Sequence, residues 1–179
     1  MRSVRGVALV AAVVFAATGG AAVAGAQGAG AEKPTASEVG VSATQIRVAV
    51  VADVDNPFAP GLFQGSVDGV QGWAKYVNAN GGLAGRKVVV DFIDSRLSAD
   101  EARNAVIEAC AEDFALVGTS ALFLNTVADI EGCTDKAGVA TGLPDLAVVT
   151  TEVVQQCSST TYSINPPQIL CATKDRHPQ

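Results

Sequence analysis

The residues of this 179-residue chain that could do chemistry sit in three places, and the first is the loop Asp53 to Gly61, DVDNPFAPG. Asp53-Val54-Asp55-Asn56 opens it like a calcium loop. Phe58, however, stands where the sharp turn needs glycine, and Gln64 where a bidentate glutamate should close the shell, so no metal site is assigned. The same aspartates would suit a phosphoacceptor, but Gly118-Thr119 ends the third apolar run without the carboxylate that chemistry needs. The second place is Asn80 to Lys87, NGGLAGRK, which has the glycines of a phosphate loop without the spacing and follows a helical pattern where a phosphate loop follows a strand. No Gly-x-Gly-x-x-Gly follows the first strand, so a dinucleotide is disfavoured and no cofactor is expected.

The third place is the set of four cysteines, Cys110, Cys133, Cys157 and Cys171, with no Cys-x-x-Cys pair. In an exported chain an even count reads as disulfides. Three connectivities are open. Sequential pairing, Cys110 with Cys133 and Cys157 with Cys171, closes the shortest loops, and each bridge would contribute roughly 3 kcal/mol. The alternative is buried thiols, for Cys110 especially, which lies on an apolar helix face. The one histidine, His177, is three residues from the end of the sequence, so a Ser-His or Cys-His nucleophile pair has no partner within the body of the chain. The reading is a protein that is not an enzyme.

The elements that position these residues follow from periodicity. QIRVAVVA (Gln45 to Ala52) and VVVDFID (Val88 to Asp94) are short runs rich in β-branched residues, the pattern of buried parallel strands. Between them Phe63, Val67, Val70, Ala74 and Val77 share one helical face, with Trp73 on its flank as a core residue. Asn80-Gly81-Gly82 caps that helix with glycines able to take positive φ. Gly61, Gly65, Gly69 and Gly72 fall on the opposite face. They are read either as a smooth track for another element or partner, or as tolerance in a glycine-rich chain.

Ser98-Ala99-Asp100-Glu101 is a capping box that starts a second helix with Ala102, Ala105, Val106, Ala109 and Cys110 inward. FALVG (Phe114 to Gly118) is a third strand, Leu124 to Cys133 a third helix, and Gly138 to Thr141 opens a fourth strand. The alternation predicts an α/β fold, a parallel sheet with helices on both faces. Ligands of such sheets sit at the carboxyl ends of the strands. Those loops are placed at Asp53 to Gly61, Asp94 to Leu97, Thr119 to Phe123 and Gly142 to Asp145.

The ends of the chain bear on location. MRSVRG, with two arginines and no acid, precedes an apolar run and small residues at Ala22-Val23-Ala24 and Ala24-Gly25-Ala26, so residues 1–26 read as a secretory signal peptide, the alternative being an uncleaved anchor. The mature chain is then extracytoplasmic, periplasmic or secreted, with no membrane insertion after signal cleavage. Cleavage removes two of the 12 basic residues and none of the 18 acidic ones, which moves the net charge from −6 to −8. An acidic chain without a basic cluster argues against nucleic acid or anionic lipid as partner. Residues 27–44, rich in Ala, Gly, Ser and Thr, read as a linker.

With these elements in view, IRVAVVAD, the helix ending YVNANGGLAGRKVVVDFIDS, then SADEARNAVIEAC and FALVGTSA together resemble the branched-chain amino-acid binding family, the type I periplasmic solute-binding proteins of ABC transporters. The most specific part is Asn78-Ala79-Asn80-Gly81-Gly82 followed by Gly85-Arg86-Lys87 and a strand. The resemblance covers 45–166 as the first lobe of that fold, with 167–179 starting the crossover and the second lobe absent, as in a fragment. It implies a two-lobed protein closing on a small-molecule ligand and docking with ABC permease subunits.

Carried over by position, the ligand-binding residues are Asn56 and Phe58 in the first loop, Thr119 and Ser120 in the third-strand loop, and Gly142 in the fourth. The third-strand loop continues Ala121-Leu122-Phe123 and the fourth is GLPD, where amino-acid binders carry small and hydroxyl residues. The ligand is therefore an amino acid or a more apolar small carboxylate or metabolite. The alternative function is an extracellular sensing or interaction domain on the same fold.

Overall fold

A computed structural model describes residues 34–164 and Cys171. The proposed signal peptide, the first part of the proposed linker, His177 and all of 167–179 except Cys171 lie outside the described residues. Five strands form one parallel sheet: β1 Gln45–Ala52, β2 Lys87–Asp94, β3 Ala115–Val117, β4 Asp145–Ala147 and β5 Thr161–Ser163. Their order is β2-β1-β3-β4-β5, every neighbouring pair parallel. The chain steps outward from β1 to β2 and then returns past β1 to β3, so the sheet has a switch point between β1 and β3.

The helices are α1 Gln64–Ala79, α2 Ala99–Glu112, α3 Ala128–Glu131 and α4 Val153–Gln156. The long pair covers opposite faces of the sheet, as the alternation predicts. On one face Val67, Val70 and Ala74 of α1 pack on Ile46, Val48, Val50 and Ala52 of β1 and on Val88 of β2. On the other, Ala102, Ala105, Val106 and Ala109 of α2 pack with Ala49, Val51, Leu116 and Ile130. The alanines let α2 lie close to the sheet, and each fully buried valine or leucine contributes about 1.5–3 kcal/mol. Trp73, expected in the core, is 39% exposed, because the helix turns only its flank to the sheet.

The signature Asn78-Ala79-Asn80-Gly81-Gly82 has a local cause. The Asn78 amide donates to Val88 O at 2.8 Å and accepts from Val88 N at 2.7 Å, serving the edge strand β2 as a substitute neighbour. Gly82 has φ 81°, and a Cβ there would strike the Arg86 carbonyl, so only glycine fits. The α2 cap is half of the predicted box: Ser98 Oγ accepts from Glu101 N at 3.4 Å, while Ser98 N–H donates to Ser95 O instead.

Three expectations are corrected. Residues 34–44 are not a free linker. Arg86 donates to Ser42 O and Thr35 O, and Arg47 N–H to Gly40 O, which ties them to the start of the sheet. The third helix is one turn, Ala128–Glu131, because Leu124 enters the core before the helix begins. The fourth strand is not at 138–141. There Asp135 Oδ1 accepts from Ala137 N and Val139 N to form an exposed turn, and the chain pairs with β3 only from Asp145. A buried carboxylate inside a strand hides that strand from a hydrophobicity pattern. Beyond it, α4 and β5 complete the described part of the lobe, two elements that the sequence pattern does not announce.

Both disulfides follow the sequential pairing. Cys110–Cys133 ties the end of α2 to the segment after α3, and Cys157–Cys171 holds Cys171 to the end of α4. The sequence separations are 23 and 14 residues.

Candidate functional site

At the carboxyl edge of the sheet, beside the switch point, one side chain holds three loops. Asp53 follows directly on β1 and is 1% exposed. Its Oδ1 accepts from Ser95 Oγ at 2.6 Å and from Leu97 N at 2.8 Å, and its Oδ2 accepts from Leu122 N at 2.8 Å. The loops after β2 and β3 are thus pinned to the end of β1. Asp94, at the end of β2, does the same for the neighbouring turn, accepting from Val54 N, Asp55 N and Arg96 N. With its oxygens committed to these donors, Asp53 acts as a clamp on the loops, in place of the calcium ligand its spacing suggested. The sequence contains the signal, an acid closing each of two β-branched runs, but hydrogen-bond partners 39 to 69 residues away are not visible in it.

The predicted site residues divide. Asn56 is buried and builds its own loop: Oδ1 accepts from Phe58 N and Ala59 N, and Nδ2 donates to Ala59 O. That turn presents Phe58, 86% exposed, at the edge. Ser120 is buried, its Oγ 2.8 Å from Ser66 Oγ of α1 and donating to Gly118 O at 3.0 Å. Its backbone closes the third-strand loop against the first, with Ser120 N to Val51 O and Asp53 N to Ser120 O. Thr119 is also fully buried, with its hydroxyl directed away from solvent. Asn56, Phe58, Thr119 and Ser120 are brought together at one edge.

Gly142 is not. It precedes β4 by three residues and so lies at the amino edge, against Thr160 and the Ile130 backbone. It lines a cleft of about 270 Å³ there, with Glu38, Asp113, Phe114 and the Cys110–Cys133 bridge. The loop that does follow β4 begins at Val148. Val148 N and Val149 N donate to Thr119 O, and Thr151 Oγ1 donates to Leu122 O at 2.8 Å, so this fourth loop joins the third. Thr150 and Thr151 are hydroxyl residues of this loop, engaged with Ser163 Oγ and Leu122 O.

The two long helices present different amino ends to this edge. α2 begins with the Ser98 cap and carries Asp100 and Glu101 in its first turn. α1 begins at Phe63 with no side-chain cap and no acid in its first turn. The partial positive charge of α1 is therefore left unneutralised by its own first turn, beside the loops after β1 and β3.

No helix among the described residues is long and apolar enough to cross a membrane. Searches of curated proteins and of solved structures find no significant match. The sequence profile of the periplasmic binding protein family matches residues 45–168, a span that contains all five strands. Members of that family bind solutes outside the cytoplasm and are generally not enzymes. A parallel sheet whose carboxyl-edge loops are clamped by the aspartate that follows β1, with that profile over more than half the chain, identifies the chain as a member of the periplasmic binding protein family.

Proposed function

We propose that this chain is the extracytoplasmic solute-binding component of an ABC importer, and that its ligand is a small aliphatic or aromatic carboxylate, an amino acid among them. The lobe 45–166 supplies one wall of a cleft and a second lobe the other. Residues 1–26 act as the signal peptide, and ABC permease subunits are the docking partner. The observation that carries the ligand class is the amino end of α1. It opens without a side-chain cap or first-turn acid onto loops that already bear two exposed aromatics, Phe58 and Phe123. A carboxylate at the helix end with an apolar body against Phe58 and Phe123 satisfies both features. The buried Thr119 and Ser120 then shape the loop, and the exposed Phe123 at its end does the contacting.

The test is amide chemical-shift mapping of the mature chain with leucine, isovalerate and isoamylamine, each to tens of millimolar. The expected result is shifts at Phe58, Gln64, Gly65 and Ala121 to Phe123 with the first two ligands and not with the amine. Shifts with the amine alone, or with none of the three, overturn the proposal. Permease and ATPase genes beside this one support transport, and their replacement by a receptor gene supports sensing.

A further inference from the structure

Below the third-strand loop lies a polar cluster that the ligand reading does not use. Asp145, the first residue of β4, is fully buried, and so are Thr119 and Gln155 of α4. Thr161 of β5 donates to Asp145 Oδ2 at 3.2 Å. Asp145 Oδ1, Thr119 Oγ1 and both polar atoms of the Gln155 amide have no hydrogen-bond partner at good geometry among the described residues. Four unmatched polar atoms in one buried cluster, one of them on the carboxyl itself, are a concentration that native interiors avoid, and they leave the cluster with more than one way to close.

We propose that Asp145 positions the ligand loop after β3, acting through Thr119, and that proton uptake at this one carboxyl resets that loop. The proposal rests on the assignment of the loop to the ligand. The ionised carboxylate can only accept, and the Thr119 hydroxyl, the Thr161 hydroxyl and the Gln155 amide can all donate to it. The neutral acid must instead place one proton on a neighbour, which forces at least one of those three side chains to turn its acceptor inward. The Thr119 hydroxyl can answer by rotating, but any displacement of Thr119 itself is shared with the loop after β4, because its carbonyl accepts from both Val148 N and Val149 N. The charge state at the base of β4 is thereby carried to the backbone of two ligand loops.

Burial holds the Asp145 carboxyl above its usual range, at about 6, against the pull of the Thr119, Thr161 and Gln155 side chains. Those three side chains, from the loop after β3, from β5 and from α4, are the groups set against it. None of them is charged, so the titration belongs to Asp145 alone.

The experiment follows the amide shifts of Gly118, Thr119, Val148 and Val149 in the ligand-free mature chain from pH 4.5 to 8. In the wild type they are expected to move together with a midpoint near 6. In Asp145→Asn they stay at the wild-type low-pH positions throughout. Thr161→Val, which removes one donor to the carboxylate, moves the midpoint upward and keeps the proposal testable should Asp145→Asn fail to fold. Flat wild-type shifts, an unchanged titration in Asp145→Asn, or an unmoved midpoint in Thr161→Val overturn it. Because no ligand is added, this result is independent of whether leucine or isovalerate binds.

Discussion

Asp53 and Asp113 are the same residue type, each 1% exposed, at opposite edges of one sheet, and they do opposite things. Asp53 sits where the strands end and loop N–H groups point inward, and it receives three donors. Asp113 sits where α2 ends and β3 begins, near Asp91 and Arg47, and its Oδ1 has no partner among the described residues. Arg47 is shared with Asp91, to which it is paired at 2.9 Å. Burial, with Asp91 adding to it and Arg47 opposing, pushes the Asp113 carboxyl up to about 7. A buried acid thus stabilises or strains a fold according to the donors that face it. In a parallel sheet the carboxyl edge, where loops fold back over the strand ends, is the richer in such donors.

The most severe way to break the comparison is to remove the well-served acid. Asp53→Ala leaves Ser95 Oγ, Leu97 N and Leu122 N unmatched and is expected to destabilise the lobe by about 3–4 kcal/mol. Asp53→Asn recovers only part of this, because its amide presents N–H to one of the donors. Urea denaturation gives the loss, and hydrogen exchange at Val54, Leu97 and Leu122 locates it. A loss below about 1 kcal/mol would show that the three loops are held by something other than Asp53.

At the amino edge the corresponding clamp is covalent. Replacing Cys110 and Cys133 together by serine opens a loop with sequence separation 23 and is expected to lower stability by about 3 kcal/mol. The exchange that it accelerates lies in 134–144, around the cleft that Gly142 and Leu143 line, and protection at Leu97 and Leu122 is unchanged. Equal loosening at both edges would mean that the sheet transmits the change and that the two edges are not separate units.

The strained acid makes a pH prediction with a definite sign. Unfolded, Asp113 ionises near 3.8; folded, near 7. Between those values the unfolded chain binds fewer protons, so stability falls as pH rises from about 4 to 7 and levels off above. Asp145, raised from 3.8 to about 6, adds to the slope in the lower part of the window. Asp113→Asn removes a buried charge beside Asp91 and is expected to raise stability at pH 8 by about 1–2 kcal/mol, leaving only the Asp145 slope below pH 6. Thermal melts from pH 4 to 8 check both claims, and a variant with the wild-type slope would clear Asp113 of the strain assigned to it.

The same contrast explains what was legible in the sequence. The alternation of elements, both long helices, the capping glycines and the cysteine pairing all follow from patterns that are local or set by loop length. A hydrophobicity pattern misplaces β4 because its first residue is a buried aspartate and its apolar content is two residues, Leu146 and Ala147. With it went Gly142, assigned to the ligand edge when it belongs to the other. The clamp role of Asp53 was missed for the complementary reason: its donors come from residues 95, 97 and 122, and nothing local distinguishes a clamping acid from a metal ligand.

Between the edges, the outer face of α1 provides the smallest effect and calibrates the others. Gly65, Gly69 and Gly72 have α-helical surroundings, and a Cβ built on any of them meets nothing within 4 Å among the described residues. The close approach of another element, one of two explanations for this stripe, is therefore not made within the described lobe. What remains at Gly69 is the backbone freedom of glycine in the unfolded chain, so Gly69→Ala is expected to stabilise by about 0.5–1 kcal/mol. Equilibrium denaturation measures the gain, and sedimentation equilibrium by ultracentrifugation reads association. A gain with no change in association assigns the stripe to composition alone. A loss of stability that depends on protein concentration would mean that a second molecule lies along it, because a methyl group with open space around it has no other way to do harm.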